Sequence, residues 1–192
     1  MPRWLLRLRP FEIYEIKSKE ASKSTVAKPT SETVPESIKI TWVETAEELD
    51  KLRHLAVPKN LEDWDRTVQN ALVCWQEISP EVFKAVGIAW INSESFEEPE
   101  LGIRYHFPSD ATWLHSAHVL SDYRRQGIYQ KLLANLMTEM SDEESCKRVL
   151  LGVTFGNEAS RKAHLKMDAT KIGSILLIRF LGLSCCINRG AV

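Results

Sequence analysis

The chain has 192 residues, which is enough for one full-sized domain and too few for two substantial ones. Hydrophobic residues make up 44% and charged residues 27% of the sequence, and these ordinary proportions exclude wholesale disorder and a fibrous repeat. The 25 Lys and Arg residues against 26 Asp and Glu give a formal net charge of -1 at pH 7, so a nucleic-acid partner is not expected.

Four cysteines are too few for a disulfide scaffold, and their spacing matches neither a zinc ribbon nor a zinc finger. The longest apolar runs are far shorter than the roughly 20 residues needed to cross a bilayer, so no transmembrane span is predicted. Arginines interrupt the apolar residues at the N-terminus, unlike a signal peptide. The sequence therefore predicts a cytoplasmic protein with reduced thiols and no metal. A homodimer is compatible with the sequence, which does not give the oligomeric state.

Residues 18–37 are rich in Ser, Thr, Lys and Glu and contain two prolines, which is typical of a linker or an exposed loop. We therefore divide the chain into residues 1–37, an N-terminal segment with its linker, and residues 38–192, the main domain. Within the N-terminal part, residues 10–16 mix apolar and acidic side chains. This pattern predicts an edge strand of the main domain or of a neighbour.

The first half of the main domain begins with a strand-like segment at residues 38–43. Thr45 and Glu48 have the spacing of a capping box, so a helix is predicted to start after Thr45 and to end before Pro58. A second helical segment is predicted around residues 60–71. Four apolar segments separated by turn residues then predict an antiparallel meander. They are residues 71–78, 82–91, 101–107 and 113–120.

The pattern changes after Gly127, because apolar residues then recur at helical spacing and predict a long amphipathic helix. A strand at residues 148–154, a short helix at about 157–167 and a last strand from 171 to about 181 follow. This order predicts an α+β fold, with a mixed, mostly antiparallel sheet flanked by helices and one β-α-β crossover in the C-terminal half. The apolar positions of the long helix are Ile128, Leu132, Leu133, Leu136, Met137 and Met140.

Residues 119–130 join a predicted strand to the N-terminus of this helix. Several backbone N–H groups of such a turn lie outside the helical hydrogen-bond ladder with the helix dipole behind them, which suits a pyrophosphate. Gly127 lets a phosphate approach the backbone, but a tight turn also needs a glycine for steric reasons. From these residues alone, anion binding and a purely structural turn are equally open.

The same stretch resembles motif A of the GNAT superfamily of acyl-CoA N-acyltransferases. That motif reads Arg or Gln, two residues, Gly, one residue, and then Gly or Ala. Arg124, Gly127 and Tyr129 occupy its three positions, and Val119 stands where the family has a valine that ends a strand. Tyr129 departs from the motif, because the family has a small residue there.

Residues 157–169 resemble motif B of the same family, about thirty residues after motif A. Asn157 matches the asparagine that precedes a helix, and His164 stands where the family often has a tyrosine. Asp168 and Ala169 replace the family's Gly-Phe. Two motifs in the expected order are more specific than either one alone.

The resemblance implies a GNAT-like fold and an acyl-CoA-dependent N-acyltransferase, most simply an N-acetyltransferase. Acyl-CoA would be the co-substrate, no metal would be needed, and an amine would attack the thioester directly. The pantetheine would lie in a V-shaped opening between the strand ending at Val119 and the strand 148–154, and the pyrophosphate would lie on the turn. The residues implied to bind CoA are Ala117, His118, Val119, Arg124, Arg125, Gln126, Gly127, Ile128, Tyr129, Gln130 and Asn157.

Two histidines are candidate catalytic residues. Period-two alternation places His115 on one strand face with Trp113, Ala117 and Val119. His115 resembles the second histidine of the His-x-His pair in arylalkylamine N-acetyltransferases, with Trp113 in place of the first. A histidine with an ordinary pKa near 6.5 can accept a proton from the amine, whereas the alternative is a buried histidine that only packs.

His164 stands where many family members use a tyrosine as the acid, so its imidazolium can protonate the departing thiolate. The alternative is a histidine on the helix surface. A second function class also stays open: a non-catalytic acyl-CoA-binding or interaction module on the same fold, favoured by Tyr129, by the replaced Gly-Phe and by the incomplete His-x-His pair. A third alternative is a structural domain whose turn binds nothing.

Overall fold

The computed structural model describes residues 6–17, 37–52, 71–93, 95–98, 103–141 and 148–190. The chain divides into two compact units, each of which is described by itself. The first unit comprises Met1–Ser18, Asn92–Trp113 and Glu143–Val192, and the second comprises Lys19–Ile91 and Leu114–Asp142.

The described residues form strands β1 (Leu6–Lys17), β2 (Ile38–Trp42), β3 (Ala71–Ser79), β4 (Val82–Asn92), β5 (Ser95–Glu98), β6 (Ile103–His106), β7 (Ala111–Val119), β8 (Arg148–Thr154), β9 (Thr170–Phe180) and β10 (Leu183–Gly190). The helices are α1 (Ala46–Lys51), α2 (Ile128–Ser141) and α3 (Glu158–Leu165), with a 3-10 turn at Ser121–Tyr123. None of the described helices is long and apolar enough to cross a membrane.

In the first unit, the N-terminal strand β1 lies inside the sheet. It pairs antiparallel with β8 on one side and with β9 on the other, and β10 pairs with β9, which gives the order β10-β9-β1-β8. The expectation that residues 10–16 form an edge strand is therefore wrong. Burial of Ile13, Tyr14 and Ile16 favours the interior position, whereas the sequence pattern carries no signal for the two distant strands that flank β1.

In the second unit, β2, β3 and β4 pair antiparallel in succession, and the part of β7 that belongs to this unit lies beside β4. The N–H of Leu120, directly after β7, donates to the carbonyl of Val86 in β4 at 3.0 Å. The strands predicted at residues 71–78, 82–91 and 113–120 are thus present as β3, β4 and β7. The strand predicted at 101–107 is not part of this meander, because β6 pairs with β5 in a separate two-stranded sheet.

Helix α1 begins where the sequence predicts. The Thr45 hydroxyl accepts a hydrogen bond from the N–H of Glu48 at 3.2 Å, and the Glu48 carboxylate accepts one from the N–H of Glu44 at 2.9 Å. The return bond of the capping box thus goes to the residue before Thr45. The second helix predicted at residues 60–71 lies outside the described residues, except that Ala71 begins β3, and so does the linker apart from Ser37.

Helix α2 packs on the sheet of the second unit with the face that its periodicity predicts. Ile128, Leu132, Leu133, Leu136 and Met140 are buried, and Met137 is half-buried. A Cβ placed on Gly87 of β4 would lie 3.0 Å from Cγ2 of Ile128, so a larger residue there would require the Ile128 side chain to shift. Lys131 Nζ also donates to the carbonyl of Ile38 at 3.3 Å, which fixes the first turn of α2 against β2.

The remaining elements follow the predicted order. Strand β8, helix α3 and strand β9 lie at the predicted positions within a few residues, whereas β5 and β10 were not predicted. The mostly antiparallel α+β fold class is confirmed.

Candidate functional site

The turn between β7 and α2 is held in shape by its own side chains. After β7 ends at Val119, the 3-10 turn Ser121–Tyr123 reverses the chain. Arg124 Nε donates to the Val119 carbonyl at 3.0 Å, and the Gln126 side-chain amide donates to the Asp122 carbonyl at 3.1 Å. These two motif A side chains therefore brace the turn from within.

The backbone of this turn is a candidate anion cradle. Arg125 and Gly127 both have left-handed conformations, with φ of 64° and 74°, while Arg124 before them is extended. Successive backbone N–H groups in a turn of this kind can form a concave side where an anion binds. For a non-glycine residue such as Arg125 this conformation costs about 1–2 kcal/mol, and such strain is concentrated at functional sites.

Helix α2 adds to this cradle. Its hydrogen-bond ladder begins with the Lys131 N–H, which donates to the carbonyl of Gly127 at 2.9 Å. The amides before Lys131 therefore lie outside the ladder, at the positive end of the helix dipole. Ile128 is buried and anchors this turn of the helix, while Tyr129 and Gln130 are half-buried.

Charged side chains make the turn more positive than negative. Arg124 and Arg125 are exposed, against one exposed carboxylate at Asp122. A further cation comes from β4, where Lys84 Nζ lies 5.5 Å from the centroid of the Tyr123 ring. Lys84 carries no signal in the sequence, because only the pairing of β4 with its neighbours brings it beside the turn.

The end of β7 departs from the predicted alternation. Ser116 has a φ of 47°, a left-handed conformation that interrupts the pleat between His115 and Ala117. The expectation that period two continues from His115 to Ala117 and Val119 is therefore wrong. Ala117 is exposed, whereas His118 and Val119 are half-buried. Burial, and then the charge of Arg124, lower the pKa of His118.

His115 is neutral at physiological pH. Its side chain is half-buried, and Nδ1 lies 3.1 Å from the Ser116 hydroxyl. Burial lowers the pKa of His115 from 6.5 to about 4, so the ordinary pKa expected from the sequence is not found. The imidazole is thus available to accept a proton but is a weak base.

Tyr129, the departure from motif A, is held away from bulk water. Its side chain is half-buried, and burial raises the pKa of its phenol. The hydroxyl therefore stays protonated over the whole range in which proteins work.

In the first unit, the motif B residues organise α3. Asn157 is exposed and caps the helix, because its side-chain oxygen accepts a hydrogen bond from the Ser160 N–H at 3.1 Å. After the helix, Asp168 has a φ of 58° and Ala169 is buried. Asp168 thus takes the left-handed conformation that a glycine adopts most readily.

His164 is not on the helix surface. Its side chain is 4% exposed and lies against Tyr14 of β1, with the ring centroids 6.2 Å apart. The Tyr14 hydroxyl donates in turn to the Glu12 carboxylate at 3.0 Å. Burial lowers the pKa of His164 to about 4, so the imidazolium expected from the sequence is disfavoured at neutral pH. Tyr14 was not recognised, because nothing near it in the sequence points to α3.

The predicted site residues are thus distributed over the two units. His115, the strand end and the turn with the start of α2 belong to the second unit, whereas Asn157 and His164 belong to the first. Among the residues that the structure describes, no group of three His, Cys, Asp or Glu side chains is arranged to hold a metal ion.

A family model described as the acetyltransferase (GNAT) family matches residues 39–168. This match includes motif A, all but the last residue of motif B and more than half of the chain, so the chain belongs to the GNAT family. No curated protein matches the chain in sequence.

Several solved structures have a similar fold. A Drosophila protein has a TM-score of 0.64 at 14% identity, covering 92% of this chain and 52% of its own. A GCN5-related N-acetyltransferase from Sphaerobacter thermophilus has a TM-score of 0.56 at 13% identity, covering 97% and 55%. A Staphylococcus epidermidis protein of unknown function has a TM-score of 0.59 at 13% identity, covering 97% and 64%. The chain thus spans between half and two thirds of the length of these structures.

Proposed function

We propose that the chain is an acyl-CoA-dependent N-acyltransferase, most simply an N-acetyltransferase, that transfers the acyl group to an amine. The observation that carries the proposal is the braced turn with left-handed Arg125 and Gly127 directly before α2, in a chain of the GNAT family. Two left-handed turn residues, a helix N-terminus and an excess of cations suit the pyrophosphate of CoA.

The proposed CoA contacts follow the chain from the strand end into the helix. The backbone of Ala117, His118 and Val119 would hydrogen-bond the pantetheine, although one lone pair of the Val119 carbonyl is already used by Arg124. The amides of residues 125–130 would hold the pyrophosphate. Asn157 keeps its side-chain NH₂ group as a donor for the pantetheine, because its cap bond uses the oxygen.

In the proposed reaction, the amine nitrogen forms a bond to the thioester carbonyl carbon and the carbon–sulfur bond breaks. One proton leaves the nitrogen and one proton reaches the sulfur, so CoA departs as a thiol. We propose His115 as the acceptor of the first proton, since its neutral imidazole is a potential hydrogen-bond acceptor. The second proton is proposed to reach the sulfur from water, while His164, neutral because its pKa is about 4, is proposed to donate an N–H hydrogen bond to the departing thiolate.

The test is CoA binding measured by calorimetry, with Gly127→Val as the disrupting variant. A valine at a φ of 74° is strained, so the cradle must rearrange. Gly182→Val is the matched control, because Gly182 has a φ of 85° and belongs to the other unit, in the hairpin between β9 and β10. Wild type and the control should bind CoA, and Gly127→Val should lose at least about 10-fold in affinity. Equal affinity of all three proteins would refute the cradle.

A second function is favoured by one observation. Both candidate catalytic histidines have a pKa of about 4, far from the value that suits general base catalysis near pH 7. This property is compatible with a module that binds acyl-CoA without turnover. Release of CoA from acetyl-CoA in the presence of an amine panel distinguishes the two functions. An enzyme should release CoA with at least one amine, and His115→Ala should slow that release by about 10²–10⁴-fold without weakening CoA binding.

A further inference from the structure

At the outer end of the first unit's sheet, where β1, β9 and β10 lie side by side, one face consists of apolar side chains only. Residues directly opposite each other in antiparallel strands share a face, and the next residue along each strand points to the other face. The register forms three rows on this face: Leu6, Phe180 and Leu183; Leu8, Ile178 and Cys185; Pro10, Leu176 and Ile187. We call these residues the nine-residue face.

The nine-residue face is not part of the core of its unit. The opposite face of the same strands is the core side, where Ile175 and Leu177 are buried in a cluster with Trp113 and Leu150. On the nine-residue face, every side chain is exposed or half-buried, and Leu183 is 78% exposed. Water therefore contacts a continuous apolar surface three strands wide.

This surface has the size of an interface. Leu6, Leu8, Phe180, Leu183 and Ile187 are between 41% and 78% exposed. Their exposed parts form one apolar patch, on the order of the 300–600 Å² of the largest apolar patch on a typical monomer. Four further side chains bring the face toward the about 800 Å² that one partner contributes to a standard protein interface. A single chain rarely leaves so large an apolar area in water.

The charges around the face favour a protein copy over a lipid surface. An anionic membrane attracts a face with cations at its rim. Here Arg7, Arg9 and Arg179 point to the opposite face, whereas the row next to Pro10, Leu176 and Ile187 contains both an acid, Glu12, which is paired with Lys171 of its own chain, and a base, Arg189. An apolar face with both positive and negative charges at its border is complementary to the same face of a second copy.

We propose that the nine-residue face is buried against the same face of a second copy of this chain, in an isologous homodimer. Each sheet contributes one apolar layer, and two such layers pack about 10 Å apart, as in a β-sandwich. A two-fold axis gives both copies the same contacts and closes the assembly at two.

The first test is the mass of the full chain in solution, measured by sedimentation velocity over a range of concentrations. We expect a species of twice 22.0 kDa. Leu183→Glu and Leu8→Glu change exposed side chains of the face, and each should raise the dissociation constant by more than about 100-fold, because the dimer would bury two unpaired carboxylates. Ile78→Glu is the matched control, since Ile78 is 61% exposed and lies in β3, in the other unit.

The second test uses the two adjacent cysteines, which lie on opposite faces of β10. Cys185 belongs to the nine-residue face, and Cys186 points away from it. In the Cys186→Ser variant, alkylation of Cys185 should slow as the protein concentration rises and the dimer forms. In the Cys185→Ser variant, alkylation of Cys186 should change much less.

Three results would overturn the proposal. The first is a wild-type chain that stays monomeric up to about 100 μM, since interfaces of this size usually bind more tightly. The second is a dimer that both glutamate variants leave intact. The third is a monomer that binds phosphatidylglycerol vesicles and loses this binding in Leu183→Glu, because a lipid surface would then be the occupant of the face.

Discussion

The buried His164 makes the stability of the protein depend on pH. Its side chain is 4% exposed, and burial lowers its pKa from 6.5 in an exposed setting to about 4 in the folded chain. The unfolded chain therefore binds a proton at a higher pH than the folded chain does. The contribution of His164 to the free energy of unfolding is fully present above about pH 6.5 and is lost as the pH falls toward 4. Below about pH 4 this group causes little further loss.

The two pKa values set the size of the effect. Lowering the pH from 7 to 5 should reduce the free energy of unfolding by about 2 kcal/mol through His164 alone, and lowering it to 4 by about 3 kcal/mol. His164→Gln keeps a polar side chain of similar size but cannot titrate. At pH 7 the variant should be less stable than wild type, because it loses the packing of the buried ring against Tyr14. Near pH 4 the difference should shrink or reverse, because only wild type is destabilised by the lowered pKa of His164.

Urea denaturation at a series of pH values measures this difference directly. His106→Gln, at an exposed histidine, is the control for the histidine-to-glutamine change itself. Other acid-sensitive groups contribute equally to wild type and variant, so they cancel in the comparison. A His164→Gln profile that runs parallel to wild type from pH 7 to 4 would show that the folded chain accepts the His164 proton without cost.

Two further predictions concern packing in the first unit. Gly152→Ala should destabilise the chain by about 1–3 kcal/mol, because the new Cβ would lie 2.6 Å from the Trp113 ring. It should also change the near-UV circular dichroism of Trp113. The control is Gly156→Ala, which has nothing within 4 Å of its Cβ and should cost only the backbone strain of about 1–2 kcal/mol. Arg148→Ala should cost about 3 kcal/mol in urea denaturation, because the Glu15 carboxylate, 3.2 Å from the guanidinium, is buried. A double variant with Glu15→Gln should lose less than the two single changes together, and strict additivity would show that the two side chains act independently.

The parts of the fold that depend on neighbouring residues could be predicted from the sequence. The period of 3.6 from Ile128 to Met140 predicts α2 and its buried face, and Thr45 with Glu48 predicts the start of α1. Strand β8 begins and ends at the predicted residues, because a run of Val and Leu is bounded by charged and turn residues.

The parts that depend on distant residues could not be predicted. β1 lies between two strands that are far away in the sequence, and its alternation of apolar and polar residues is the same for an edge and an interior position. β10 contains Ser, Cys, Asn and Arg, which have little preference for strands.

The candidate site shows the same division. The motif positions predict where the turn lies, and Gly127 marks one left-handed residue. Ser116, Arg125 and Asp168 are also left-handed, but residues of these types are usually right-handed or extended. The sequence therefore does not predict the positive φ at these three positions. The lowered pKa values of His115 and His164 arise from burial, which depends on packing that neither motif specifies.

The interior position of β1 determines the order in which the chain can complete its fold. A ribosome makes β1 first, but both of its neighbours, β8 and β9, come from the last third of the chain. Most of the second unit, including α2, is synthesised in between and can fold before the strands that pair with β1 have been made. A chain without residues 1–17 would leave two rows of unpaired backbone groups facing each other, and a peptide of residues 6–17 supplied separately should insert between them and restore the sheet.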